Sequence, residues 1–251
     1  MSIAVIAIAG CKKPKDGATG PAGATGPNGP SLSGTLEGYV DLFDQYGSLM
    51  SNASGVYITI AGKTGTDSTS AGGMFTKSLS TGTYELDLAK TGYGSLKVPS
   101  LNFVGGGTQY IAGHLQLTQP ASFSLSTATS ATVTVGGASA VSVTVTPSST
   151  DTKARKVICF LSTSSSVSYA PSSYVGTVLI NIPANATTGS GNITTAVANS
   201  IGITTGTTMY VAAYPISVSN GASTYGDIAT GKTVYNNINP LSSATTNIVF
   251  P

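Results

Sequence analysis

The sequence is short of charge, cysteine, histidine and tryptophan. Of its 251 residues 8% are charged, the formal net charge is +2, and it has two cysteines, one histidine and no tryptophan. The 11 Lys and Arg are too few to build a basic face that could follow a phosphate backbone, so we expect no nucleic-acid partner. The scarcity of strong helix formers, with two Glu and one Arg, excludes a mainly helical fold.

Hydroxyl residues and glycine are abundant instead. The chain has 34 Ser, 36 Thr and 31 Gly. Thr, Val, Ile and Tyr favour strands, and glycine favours the turns between them. This pattern predicts an all-β fold with two antiparallel β-sandwich domains in tandem after an extended Gly/Pro-rich linker. The predicted segments are a signal peptide over residues 1–10, a linker over 11–33, and sandwiches over 34–119 and 120–251.

The N-terminal residues combine a short apolar run with a cysteine. Residues 3–9 are apolar, but a membrane span needs about 20 such residues. Residues 8–11 (Ile-Ala-Gly-Cys) resemble the lipobox of bacterial lipoproteins, although no Lys or Arg precedes the run. The resemblance implies that Cys11 is acylated and anchors the protein in the cell envelope, at the outer membrane or the cell surface. The alternative is a buried N-terminal strand with an incidental cysteine.

Glycine then recurs at every third position from residue 17 to residue 29, and proline follows three of these glycines. The repeat resembles the collagen-like stalks of bacterial surface proteins, in which only glycine fits at the axis of the triple helix. Five triplets are few, so we expect a monomeric, semi-extended spacer, with a trimer as the alternative.

The first predicted sandwich carries a series of short motifs in a set order. They are Gly38, Val40 and Asp41; Gly55, Val56, Ile58, Ile60 and Gly62; Thr66, Asp67, Gly73 and Phe75; Gly82, Thr83, Tyr84 and Leu86; and Lys90, Gly92 and Tyr93. The series resembles the carboxypeptidase regulatory-like domain. The resemblance implies a seven-stranded, transthyretin-like sandwich and an accessory role without a reaction of its own.

The second predicted sandwich contains one recognisable segment. Residues 203–214, followed by Tyr225-Gly226-Asp227, resemble bacterial fibronectin type III-like domains. A divergent immunoglobulin-like sandwich has the same pattern and stays open as the alternative.

Groups that could perform catalysis or bind metals are few. His114, the single histidine, falls in an alternating segment that predicts a partly exposed strand position, and no G-x-S-x-G motif occurs. One His and one free Cys cannot complete a zinc site, and the carboxylates lack the density of a calcium loop. Glu85 and Asp87 are expected to form a solvated stripe on one strand face. We therefore expect no enzyme, no cofactor and no metal.

Two further predictions concern Cys159 and the strand edges. Cys159 lies in an apolar strand segment, which predicts a small buried side chain rather than a reactive thiol. Few charges protect the strand edges, so residues 141–146 or 246–250 are expected to pair with a neighbouring chain.

Taken together, the sequence predicts a non-enzymatic cell-envelope lipoprotein that serves as a structural, adhesive or protein-binding surface module. Its partners would be the membrane, through the lipid, and a protein or glycan at the surface. The alternative is a carbohydrate-binding accessory protein. Its ligand-binding residues would be tyrosines in loop-like surroundings, which also commonly pack the ends of sandwiches: Tyr169, Tyr174, Tyr225 and Tyr235.

Overall fold

The computed structural model describes residues 31–218, 221–241 and 243–251. The segment Ser31–Pro251 forms one compact unit. The predicted signal peptide, the lipidation of Cys11 and the collagen-like stalk up to residue 30 lie outside the described residues.

The described residues contain sixteen strands and one short helix. In chain order they are β1 (Ser33–Phe43), β2 (Tyr57–Ile60), β3 (Asp67–Ser68), β4 (Met74–Ser80), β5 (Gly82–Ala89), β6 (Leu96–Phe103), β7 (Thr108–Thr118), β8 (Leu125–Val135), β9 (Ala138–Pro147), β10 (Arg155–Ser162), β11 (Gly176–Ile182), β12 (Gly189–Thr194), α1 (Thr195–Ser200), β13 (Thr208–Ile216), β14 (Thr224–Gly226), β15 (Thr233–Tyr235) and β16 (Ala244–Val249). The all-β prediction is confirmed. In the described part of the chain, the strands pair antiparallel except β1 with β7.

Two sheets enclose a first hydrophobic core. Their strand orders are β4-β1-β7 and β3-β2-β5-β6. Along β1, Leu36, Val40 and Leu42 are buried and alternate with partly exposed residues, which is the period of a strand with one face on a core. They pack with side chains of the opposite sheet such as Ile58 and Phe103. Burial of each such side chain contributes about 1.5–3 kcal/mol.

Gly73 fixes the turn that leads into β4. Its φ is +79°, and a Cβ at this position would lie 2.2 Å from the carbonyl oxygen of Val40. The Val40 N–H donates to the Gly73 carbonyl oxygen at 2.9 Å. Only glycine accommodates both the backbone angle and this close approach, and the turn delivers Phe75 into the core.

Two further sheets enclose a second core. Their strand orders are β12-β9-β8 and β11-β10-β13-β16. Val143 on β9, Cys159 on β10 and Val211 on β13 all face this core and are fully buried. The buried position predicted for Cys159 is confirmed.

The strand edges of the second sandwich are partly occupied. β9, which contains residues 141–146, hydrogen-bonds to β12 on one side and β8 on the other. The prediction that residues 141–146 pair with a neighbouring chain is therefore wrong, because β9 already has a partner strand on each side. Residues 246–249 lie on the edge strand β16, where Ser130 Oγ donates to the Asn247 carbonyl oxygen at 3.0 Å. Pairing of that edge with another chain stays a prediction.

The hairpin β14–β15 is late in the sequence but contacts the early strands. The buried Ser223 Oγ donates to the Gly94 carbonyl oxygen at 2.9 Å and accepts the Thr118 N–H at 3.0 Å. The Ser223 N–H donates to the Gln116 carbonyl oxygen at 2.9 Å. Tyr225 packs against the first core. Residues 223–225 thus form hydrogen bonds and apolar contacts with the first sandwich, and the boundary between residues 119 and 120 stays a prediction.

A second link between early and late residues joins Tyr46 to Asp151. The Tyr46 hydroxyl donates to Asp151 Oδ2 at 2.7 Å. This hydrogen bond raises the pKa of Tyr46 and lowers the pKa of Asp151, because it favours the neutral phenol and the charged carboxylate.

Candidate functional site

The strands β10 and β13 are buried on both faces. Their odd-numbered residues enter the second core, and their even-numbered residues form a second apolar layer on the opposite side. We call that opposite side, with Phe160 at its centre, the outer face. Such double burial requires further chain to cover the sheet. Val167, Tyr174 and Ile238 supply that cover.

The outer face has a rigid aromatic base. The ring of Phe160 lies 5.0 Å from that of Tyr174, 5.7 Å from that of Tyr214 and 5.6 Å from that of Tyr235, measured between centroids. The rings are tilted or edge-to-face, the arrangement that aromatic quadrupoles favour. Side chains held this way lose little further freedom when a ligand binds beside them.

The structure brings together three of the four tyrosines that the sequence analysis predicted as ligand-binding residues. Tyr174 is only 5% exposed, and its hydroxyl donates to the Thr233 carbonyl oxygen at 2.7 Å. Burial raises the pKa of Tyr174 to about 12, so its hydroxyl stays protonated. Tyr235 is half-buried against Phe160. Tyr169 is 40% exposed and meets Tyr214 edge-on at 5.4 Å.

Tyr225, the fourth nominated tyrosine, lies in a different recess of about 160 Å³. Glu85, Lys97 and Asp227 also line it. Lys97 Nζ lies 2.8 Å from Glu85 Oε1 and 3.3 Å from Asp87 Oδ1, so the two carboxylates share one strand face as predicted. Hydrogen bonds to Glu85 and then Asp87 raise the pKa of Lys97. The role of the four tyrosines in ligand binding stays a prediction.

Three polar recesses surround the aromatic base. The serine recess, of about 300 Å³, includes five serines, among them Ser162, Ser164 and Ser173, together with Tyr174 and Lys232.

The second, the threonine recess, has a volume of about 260 Å³ and includes Tyr210, Thr245, Thr246 and Asn247. The third, the asparagine recess, has a volume of about 200 Å³ and includes Tyr235 and Asn237. Hydroxyl and amide groups beside aromatic rings suit small polar ligands.

Lys232 supplies the positive charge of the serine recess. Its Nζ lies 5.0 Å from the centroid of the Tyr174 ring and donates to the Tyr174 carbonyl oxygen. The ammonium group is therefore held by both a carbonyl oxygen and an aromatic face. Local sequence does not single out Lys232, because Tyr174 and Val175, which line the same recess, lie 57 or more positions earlier in the chain.

His114 lies elsewhere, on β7. Its side chain is 52% exposed, as the strand alternation predicted, and its Nδ1 lies 3.0 Å from Asp41 Oδ1. Its ring stacks on Tyr39 with the centroids 5.3 Å apart. In the part of the chain that the structure describes, no three His, Cys, Asp or Glu side chains converge as metal ligands would.

The described residues include no helix long and apolar enough to cross a bilayer. No family model and no curated protein matches the chain.

Several solved structures are similar over part of the fold. A type II cohesin–X-dockerin complex from Acetivibrio cellulolyticus aligns at 20% identity and a TM-score of 0.29, covering 34% of this chain and 58% of that one. A candidate carbohydrate-binding protein from Bacteroides uniformis aligns at 12% identity and a TM-score of 0.30, covering 86% of this chain and 99% of that one. A DUF3823 family protein from Parabacteroides merdae aligns at 14% identity and a TM-score of 0.24, covering 86% and 100%.

Proposed function

We propose that the chain is a non-enzymatic binding module of the cell envelope, displayed on a stalk and anchored by lipid at Cys11. The observation that carries the proposal is the outer face, where three polar recesses surround one packed aromatic base. Its strands are fixed by a hydrophobic layer on each side, so the recesses are held in place before any partner arrives.

The anchor is supported by the lipobox-like residues 8–11 and by the Gly-X-Y repeat that follows. Mass spectrometry of the N-terminal peptide from the native protein tests it. We expect a diacylated or triacylated Cys11 at the first position. An unmodified Cys11 preceded by residues 1–10 would contradict the anchor.

The absence of catalysis is part of the proposal. His114 pairs with Asp41 on a half-exposed strand, and its ring stacks on Tyr39. A hydrolase built on this dyad would lose its activity in His114→Ala. We expect the wild-type chain to hydrolyse neither ester nor glycoside substrates, and turnover that disappears in His114→Ala would overturn the proposal.

Carbohydrate binding is the second candidate function. The specific observation is the exposed ring of Tyr169 in the segment that also lines the serine recess, where hydroxyls and one ammonium group are available to a polyol. Exposed aromatic rings provide apolar platforms for sugar faces, and hydroxyls supply the matching hydrogen bonds.

Retention on insoluble polysaccharide tests this candidate. We expect the wild-type chain to be retained, and Tyr169→Ala to lose most of that retention. Tyr57→Ala is the matched control, because Tyr57 is equally aromatic and 56% exposed but lies on β2. Equal loss in both variants, or no retention of the wild type, would rule out carbohydrate binding by the outer face and leave a protein partner.

A further inference from the structure

The asparagine recess lies between the outer face and the hairpin β14–β15. Its walls come from β10, β11, β13 and the hairpin, through Lys156, Leu179, Ile216, Thr224 and Tyr235. At about 200 Å³ it has room for several water molecules or for a small polar group with its attached carbon atoms.

Asn237 has an unusual position in this recess. It is 1% exposed, and its Nδ2 donates to Ser217 Oγ at 3.0 Å. Its Oδ1 has no hydrogen-bond partner in the described structure. Exchange of the two amide atoms would leave Nδ2 without a partner instead. Either orientation leaves one strong hydrogen-bonding group of a buried side chain unsatisfied, which is uncommon in folded proteins.

The other walls have complementary chemistry. Thr224 Oγ1 donates to the Gly221 carbonyl oxygen at 2.8 Å, which leaves that hydroxyl oxygen able to accept. Lys156 Nζ lies in the same wall and donates to the Val218 carbonyl oxygen at 3.2 Å. Leu179, which is 54% exposed, and Ile216 add aliphatic surface. The recess therefore combines one unpaired amide oxygen with hydroxyl, ammonium and methyl groups.

We propose that the asparagine recess binds the acetamido group of an N-acetylated sugar. The acetamido N–H would donate to Asn237 Oδ1, its carbonyl oxygen would accept from the Lys156 ammonium group, and its methyl would cover Leu179 and Ile216. A plain hydroxyl could satisfy Asn237 but would leave the aliphatic wall uncovered. Because an acetamido group carries both a donor and an acceptor, it suits either orientation of the Asn237 amide.

This inference rests on the carbohydrate-binding candidate and names its ligand class. Calorimetric titration of the full chain with N-acetylglucosamine, glucosamine and glucose tests it. We expect N-acetylglucosamine to bind about tenfold or more tightly than the other two sugars, because only it fills both the polar and the aliphatic part of the recess.

Two variants locate the binding. Asn237→Leu removes the unpaired amide oxygen, and Leu179→Ala removes the exposed aliphatic wall with little effect on the fold. We expect each to weaken N-acetylglucosamine binding by about tenfold and to leave glucose nearly unaffected. Asn192→Asp on β12, outside the recess, is the control and should bind like the wild type.

Equal affinities for the three sugars, or unchanged binding in both Asn237→Leu and Leu179→Ala, would overturn the inference and assign Asn237 a buried water only. The carbohydrate-binding candidate has a separate readout. If retention on polysaccharide still depends on Tyr169, that function stands while the acetamido subsite fails. If the wild type is not retained and binds none of the three sugars, both fail together.

Discussion

Cys159 shows how strongly one residue can respond to its surroundings. It lies in the second core between the two sheets and has no measurable exposure. Burial raises the pKa of the thiol from 9.0 to about 12, because the thiolate cannot be solvated there. The thiol is therefore neutral and unreactive at physiological pH.

This shift predicts a loss of stability in alkali. Above pH 9 the unfolded chain releases the Cys159 proton while the folded chain keeps it, so the free energy of unfolding falls by up to about 1.4 kcal/mol per pH unit until pH 12. Urea unfolding at pH 8, 9, 10 and 11 measures the slope. We expect Cys159→Ala to be less stable than the wild type at pH 8. Its free energy of unfolding should, however, fall less than that of the wild type as the pH rises. Parallel pH profiles for the two proteins would contradict the prediction.

At the residue scale, the local sequence predicted the burial of Cys159 but not the burial of Tyr174. The apolar neighbours of Cys159 on one strand are sufficient to indicate burial. Tyr174 has Ser and Pro neighbours that are typical of an exposed loop, yet its ring packs on Phe160. The loop folds back over the outer face because β10 and β13 need a cover there, and that requirement comes from residues distant in sequence.

At the element scale, the turn before β4 offers the sharpest test. Gly73→Ala places a Cβ against the Val40 carbonyl oxygen at a positive φ, so we expect a loss of about 3 kcal/mol in the free energy of unfolding. Gly72→Ala is the matched control, since a Cβ there meets nothing within 4 Å. Chemical denaturation of both variants measures the difference. Similar stabilities would show that the turn is not constrained as described.

Strand positions were predictable, whereas strand partners were not. Alternating apolar residues identified β1, β2 and β5, and the segment around residues 209–214 is β13. The parallel pairing of β1 with β7 joins residues more than 70 positions apart, and no local pattern encodes it. One sequence feature would have indicated the outer face. β10 and β13 are continuously apolar rather than alternating, which indicates strands that are covered on both sides.

At the scale of the whole molecule, Ser223 is central to the contact between the hairpin and the early strands. Ser223→Ala leaves the Thr118 N–H and the Gly94 carbonyl oxygen buried without this partner, so we expect a loss of about 2–4 kcal/mol. Ser190→Ala, which removes an exposed hydroxyl bonded to Thr144, should change stability by less than about 0.5 kcal/mol. Urea unfolding monitored by tyrosine fluorescence measures both. Equal midpoints would refute the role given to Ser223.

The candidate site could not be predicted from the sequence, because its residues come from segments that lie far apart along the chain. Asn237 and Lys232 reach the outer face through the hairpin, 70 or more positions after the end of β10. Neither belongs to a motif, and asparagine and lysine in a polar loop are unremarkable by composition. Their role is visible only in the folded chain, where Lys232 lies beside the Tyr174 ring and Asn237 is buried.

The central place of β1 in its sheet has a mechanical consequence. A pull transmitted along the chain from residue 31 enters the fold at Ser33, at the start of a strand that is hydrogen-bonded on both sides. That strand cannot slide past β4 without also sliding past β7, so tension is shared by two ladders at once. An edge strand would be held by a single ladder, so the same pull would meet fewer hydrogen bonds there than at β1.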